Sequence, residues 1–250
     1  MFINVCSRLF MSFLVYSCLS MFLRVYSCLL MFILVYSCLF MLFHVYSCSL
    51  YISSCLIVCI IVYWCLLMFI YVYSCLSMFI RVYSCLFVFI HVDSCLFVRI
   101  RVYSCLFALI HVRVRVRSCL FMFINVYDCL LMFISFYFGL LMIIRVYLCL
   151  FVYIIVCQCL LMFHRVYSCV CSRVLVHCFF LFFLMFINVY SCLSMFILVY
   201  DCLLLFVIVC SYLLVFINVY SCVFLFIRVQ SCLFEFIRVH SCLFVCLRVY

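Results

Sequence analysis

A ten-residue unit close to MFIxVYSCLx repeats along the chain and constrains its fold more than any other feature. The pair Ser–Cys recurs at 17–18, 27–28, 37–38 and 47–48 in constant register with the methionines Met1, Met11, Met21, Met31 and Met41. The register slips near 49–64, 111–118 and 170–186, and no linker or change of composition accompanies the slips. We therefore expect a single tandem array over residues 1–250 with no separate domains.

The ten-residue period fits neither regular secondary structure over the whole array. On an α-helix each repeat stops about 80° short of whole turns, so the arginines would wander around the helix and form no polar face. On a β-strand an even period keeps equivalent residues on one face. The step from Cys48 to Cys65 is odd, however, and an odd step moves every later side chain to the opposite face.

The composition is that of a chain without an ordinary globular surface. Apolar residues make up 78% and charged residues 7% of the sequence, which contains no proline and one glycine. So few polar side chains cannot cover a soluble monomer, and the residues that normally reverse the chain are almost missing. This composition predicts an all-α fold of membrane-type hydrophobic helices without a defined globular core. The alternative is irregular β-rich or solenoid-like stacking of the repeat, which ranks lower because solenoid units usually have about twenty residues or more and their own turn.

Long charge-free stretches are the basis of the helical prediction. They cover 25–43, 45–80, 178–200 and 202–227, and about eighteen apolar residues are enough for a helix to span a bilayer. We expect a translated chain to have the lipid bilayer as its partner and the membrane as its location, and to self-associate or aggregate in water. The basic segment 111–117, HVRVRVR, is then the best candidate for a cytoplasmic loop.

The fourth position of the repeat varies without chemical logic. It is occupied by asparagine, leucine, arginine and histidine at Asn4, Leu14, Arg24 and His44. Codons ending in T and linked by single base changes can encode all of these residues. We therefore expect a conceptual translation of T-rich tandem-repeat DNA with no assignable biochemical function. The alternatives are a multi-spanning integral membrane protein of unknown role and a thiol-rich metal binder.

Cysteine is the only residue type whose abundance suggests chemistry. The chain has 27 cysteines but no C-x-x-C, the spacing typical of zinc and redox sites. One grouping that could bind a metal is Cys169, Cys171, His177 and Cys178, and it lacks motif spacing. We predict no metal-site residue, although the metal-binding alternative stays open.

No catalytic or cofactor site is predicted either. The six histidines and four acidic residues are scattered, and the single glycine, Gly139, cannot form a glycine-rich phosphate loop. Arginines interleave with aromatic residues, but this is unavoidable in a chain that is 22% aromatic. We therefore expect no enzyme activity, no cofactor, no nucleic-acid partner and no small-molecule ligand.

Overall fold

The computed structural model describes residues 2–5, 8–26, 28–45, 49–112, 121–177 and 184–250, and all regular secondary structure in these ranges is β-strand. The strands are β1 (Phe2–Val5), β2 (Arg8–Val25), β3 (Cys28–Val45), β4 (Ser49–Val112), β5 (Phe121–Val176), β6 (Leu184–Val229) and β7 (Cys232–Val249). The chain divides into two compact units, Met1–Ile124 and Asn125–Tyr250. Each unit is a parallel β-solenoid.

One coil of the solenoid contains two decamers. Leu14 of β2 pairs in parallel with Leu34 of β3, and Asn218 of β6 pairs with Arg238 of β7, twenty residues later in each case. Successive coils therefore place equivalent residues of every second decamer in one column. The two decamers of each coil form the two opposed sheets, and the core lies between them.

The burial pattern shows how a decamer builds a coil. In the decamer 68–77, Met68, Ile70 and Val72 are fully buried while Phe69 and Tyr73 are exposed. This is the alternation of a strand with one face on the core. The next inward residue is Cys75, three positions after Val72, and the next methionine follows three positions later. Strand alternation is thus interrupted twice per decamer, at two corners.

The prediction of all-α membrane helices is wrong. The described parts of the supposed spans 25–43, 45–80, 178–200 and 202–227 lie mainly in strands β3, β4 and β6. Within the described residues, no helix is long and apolar enough to cross a membrane, so the expectation of transmembrane helices is wrong too. The alternative of solenoid-like stacking agrees with the structure. Val, Ile and aromatic residues favour strands, and stacked coils satisfy the backbone hydrogen bonds of one another.

The register slips near 49–64 and 170–186 change the offset between paired strands by three residues but do not swap the faces. Ile33 pairs with Leu50, seventeen residues later, and Val35 pairs with Ile52 at the same offset. Arg165 pairs with Asn188 at an offset of twenty-three. An odd change of offset preserves the inward positions because strict strand alternation does not run from one decamer into the next. The basic segment HVRVRVR lies outside the described residues from 113 onwards.

Candidate functional site

The cysteines of the repeat form columns along the inner side of the corners. In the first unit Cys18 pairs with Cys38 and Cys38 with Cys55. In the second unit Cys169 pairs with Cys192 and Cys222 with Cys242. Most of these side chains are buried. The columns therefore bring together thiols that are about twenty residues apart in sequence.

The thiols form hydrogen bonds at the corners, where turns in most proteins contain glycine or proline. The Sγ of Cys75 donates a hydrogen bond to the carbonyl oxygen of Ser77 at 3.0 Å, and Cys105 makes the same contact with Phe107 at 2.9 Å. Cys75 also lies 3.8 Å from the carbonyl oxygen of Leu56 on the preceding coil. Among the described non-glycine residues only Ser231 has a positive φ, 54°. This structural role of cysteine was not recognised from the sequence, although the Ser–Cys pair marked its position.

Burial makes most of these thiols poor nucleophiles. Desolvation raises the pKa of Cys55 to about 12, with smaller contributions from the neighbouring thiols Cys38 and Cys75. Burial also raises the pKa of Cys59 and Cys157. The thiolate is the reactive form of cysteine, so such residues are chemically inert at neutral pH.

Some thiols depart from this pattern, because a hydrogen bond with the cysteine of a neighbouring coil lowers the pKa of Cys75, Cys192 and Cys222. The Sγ atoms of Cys169 and Cys192 are 2.9 Å apart, and both residues are buried. Hydrogen bonding with Cys169 lowers the pKa of Cys192, and backbone groups of Ser194, Ser172 and Leu193 lower it further against the opposing effect of burial. Tyr212 continues this column towards Cys232, and burial raises the pKa of its phenol. Cys192 is therefore better prepared than Cys55 to form a thiolate.

A groove of about 760 Å³ follows one corner of the first unit. Its walls are columns of serine, cysteine and leucine from five successive coils, including Ser37, Cys38 and Leu39. The serines are mostly exposed and the cysteines mostly buried. The groove thus offers hydroxyl groups and apolar surface, but little thiol surface.

The two outward sheet faces of the first unit differ in charge, because alternate decamers lie on opposite faces. The arginine face presents Arg24, Arg81, Arg99 and Arg101, together with Asn4, His44 and Ile61. The aromatic face presents at position four of the repeat Leu14, Leu34, Tyr51, Tyr71, His91 and His111. The residues at position four therefore form two columns, one rich in arginine and one of leucine, tyrosine and histidine. The sequence alone did not separate these two columns.

Ring stacking continues from coil to coil on the aromatic face. The ring centroids of Tyr51 and Tyr71 are 5.3 Å apart, those of Tyr71 and His91 are 4.5 Å apart, and those of His91 and His111 are 4.9 Å apart. The carboxylate of Asp93 lies 3.1 Å from the His91 Nε2. An apolar groove of about 470 Å³ lies on this face, and Ser12 and Leu14 are among the residues that line it.

The arginine face has no carboxylate to balance its charge. In the ranges that the structure describes, no arginine forms an ion pair with an acidic side chain. Arg81 instead contacts the phenol of Tyr83, which raises the pKa of the guanidinium. This face therefore repels a second copy of itself.

The described members of the grouping considered for a metal site, Cys169, Cys171 and His177, are not arranged as a metal-binding cluster. Cys169 faces the core beside Cys192, Cys171 is half-buried, and the ring of His177 stacks on Tyr200 at 3.7 Å. Cys178 lies outside the described residues. Among the residues described, no group of three or more His, Cys, Asp or Glu is arranged to hold a metal ion.

Comparison with known proteins gave no relative: no family model, curated protein or solved structure matches this chain.

Proposed function

We propose that this protein is a structural protein that self-associates through the aromatic face of its first unit. The aromatic face of one copy binds the aromatic face of a second copy. The contrast between the two outward faces carries the proposal, because arginines lie on one face and the described residues of the aromatic face include none. The proposal involves no catalytic chemistry.

Charge and area both favour pairing of this face with itself. Apart from tyrosines, the ionisable groups among its described residues are His91, Asp93 and His111, so two copies meet with little repulsion. Six coils at about 4.8 Å and five residues at about 3.3 Å give roughly 500 Å² per partner. The total of roughly 1,000 Å² reaches the lower limit for a specific interface.

The apolar groove supports a two-fold arrangement. It is lined by Leu14 and Leu34 and, on the following coils, by Tyr51, Phe69 and Tyr71. Leu14 is 54% exposed and Phe69 is 47% exposed, so each copy offers projecting apolar side chains as well as a groove. In an isologous dimer each copy can insert such side chains into the other.

The test places arginine on each face in turn. The double variant Leu14→Arg, Leu34→Arg introduces two charges in adjacent coils of the aromatic face, and two buried unpaired charges would prevent association. The matched control Asn4→Arg, Ile61→Arg introduces two charges in position four of the arginine face. Sedimentation of the full chain is expected to show that the first variant loses the dimer while the control keeps it.

Either of two results would overturn the proposal. One is a monomeric unsubstituted chain at micromolar concentration, and the other is equal loss of association in both double variants. Circular dichroism of each variant establishes that the β-structure is retained, so that misfolding is distinguished from loss of the interface.

A further inference from the structure

We infer that Cys169 and Cys192 form an oxidisable pair that a small peroxide converts into a disulfide between two adjacent coils of the second unit. The two residues are direct partners in the parallel ladder between β5 and β6. Directly paired residues of neighbouring strands are about 4.8 Å apart, which lies within the Cα separation that a disulfide spans. This inference does not depend on the self-association proposed above.

The side-chain geometry already approaches that of the bond. The two Sγ atoms are 2.9 Å apart, and a disulfide bond is about 2.05 Å long, so roughly 0.9 Å of closure remains. Rotation of two side chains supplies a movement of this size while the backbone ladder stays in place. The two residues are paired at an offset of twenty-three where the regular offset is twenty, so the disulfide would tie the ends of an enlarged coil.

Hydrogen bonding assigns the two thiols different roles. The thiol of Cys192 donates to the carbonyl oxygen of Ser194 at 3.0 Å and can accept from the thiol of Cys169. That second contact favours the thiolate of Cys192, whose pKa is lowered, and disfavours the thiolate of Cys169, whose pKa is raised. Cys192 is therefore the attacking residue and Cys169 the resolving residue.

The reaction balances with hydrogen peroxide as the oxidant. The Cys192 thiolate attacks one peroxide oxygen, the O–O bond breaks, and the products are a sulfenic acid on Cys192 and hydroxide, which takes up the proton released from the thiol. The Cys169 sulfur then attacks the Cys192 sulfur, the S–O bond breaks, and a second water molecule leaves with the Cys169 proton. Two thiols and one peroxide thus give one disulfide and two water molecules. Both residues are nearly enclosed, since Cys192 is 5% exposed and Cys169 is 8% exposed. An oxidant as small as hydrogen peroxide is therefore appropriate.

The experiment maps cross-links in the full chain after exposure to one equivalent of hydrogen peroxide. Remaining thiols are alkylated, the chain is digested without reduction, and linked peptides are sequenced by mass spectrometry. The peptide pair joined through Cys169 and Cys192 is expected to be the most abundant cross-link. Addition of dithiothreitol is expected to remove it.

Two sets of variants locate the reaction. Cys169→Ser and Cys192→Ser are each expected to abolish the cross-link, and Cys192→Ser is also expected to abolish sulfenic-acid labelling at this site. Cys171→Ser is the matched control, because Cys171 lies close in sequence and half-buried on the same coil, and it should leave the cross-link intact.

The mapping of the unsubstituted chain decides the question even if a variant fails to fold. The inference is overturned if Cys169 and Cys192 stay reduced while other cysteines of the chain are oxidised. It is equally overturned if Cys192 is linked to Cys171 or to another thiol in place of Cys169.

Discussion

At the scale of single residues, His164 departs furthest from the chemistry of the core. It takes the inward place that isoleucine holds in most repeats and pairs with Ile187 on the next coil. The ring is fully buried, and neither nitrogen has a hydrogen-bond partner. Burial lowers the pKa of His164 to about 4, so the imidazole is neutral in the folded chain at pH 7.

Stability should therefore fall in mild acid because of this one residue. As the pH drops below about 6.5, His164 becomes protonated in the unfolded chain. In the folded chain it stays neutral until the pH reaches about 4. This stability is present above pH 6.5 and is lost by about 3 kcal/mol between pH 6.5 and 4. Denaturant unfolding of the wild type and His164→Ile across this range checks the prediction.

The substitution His164→Ile should remove that part of the pH dependence and stabilise the chain at pH 7 by about 1–3 kcal/mol, the cost of buried unsatisfied polar groups. His240→Ile, at an exposed outward position, is the control and should preserve the acid sensitivity. Identical pH profiles for wild type and His164→Ile would contradict the burial of this ring.

At the scale of the strand, position in the decamer decides what a side chain contributes. Positions one, three, five and eight point inward, and the residues between them point outward or lie at corners. Ile70 is fully buried and its sequence neighbour Phe69 is 47% exposed, although both are large and apolar. Residue type alone does not distinguish them.

Truncation of these two neighbours should therefore have very different effects. Ile70→Ala leaves a cavity between the two sheets and should lower the free energy of unfolding by about 2–5 kcal/mol. Phe69→Ala loses a tilted ring contact with Phe89 and apolar surface that is 47% exposed, and should cost less than about 1 kcal/mol. Chemical denaturation of both variants measures the difference, and equal losses would contradict the assignment of inward and outward positions.

At the scale of the whole molecule, the origin of the repeat in T-rich tandem DNA remains a hypothesis. Inward positions are mostly apolar, with His164 and Ser172 as exceptions among the described residues, and Val fills position five in most decamers, whereas outward position four ranges from Arg to Leu. Selection for the solenoid would produce this contrast. A T-rich repeat would produce much of it as well, since Met, Ile, Val, Leu and Phe all have T as the second codon base.

Comparison of the nucleotide sequences of the repeat units separates the two causes. Without selection on the protein, the ratio of replacement to silent changes should be the same at inward positions and at position four. An excess of silent changes confined to positions one, three, five and eight would contradict the hypothesis and show that the fold has been maintained.

Sequence alone revealed the tandem array, the slips of its register and the shortage of turn residues. It could not choose between helix and strand, because the decamer matches neither period when it is read as one continuous element. The corner that resets the alternation depends on a cysteine thiol bonding to a carbonyl two residues later, and this contact exists only in the folded coil. The Ser–Cys pair marks the corner but does not reveal how it turns.

The repeat thus determined by itself that equivalent residues would stack and that the interior would be apolar. Only the tertiary structure decided that two decamers close one coil, because this depends on hydrogen bonds between residues about twenty positions apart. That pairing gathers the arginines of the first unit on one outward face, where tyrosine rings also stack, and brings the thiols of Cys169 and Cys192 together. Both proposals follow from distances across the coil, which no local pattern in the sequence contains.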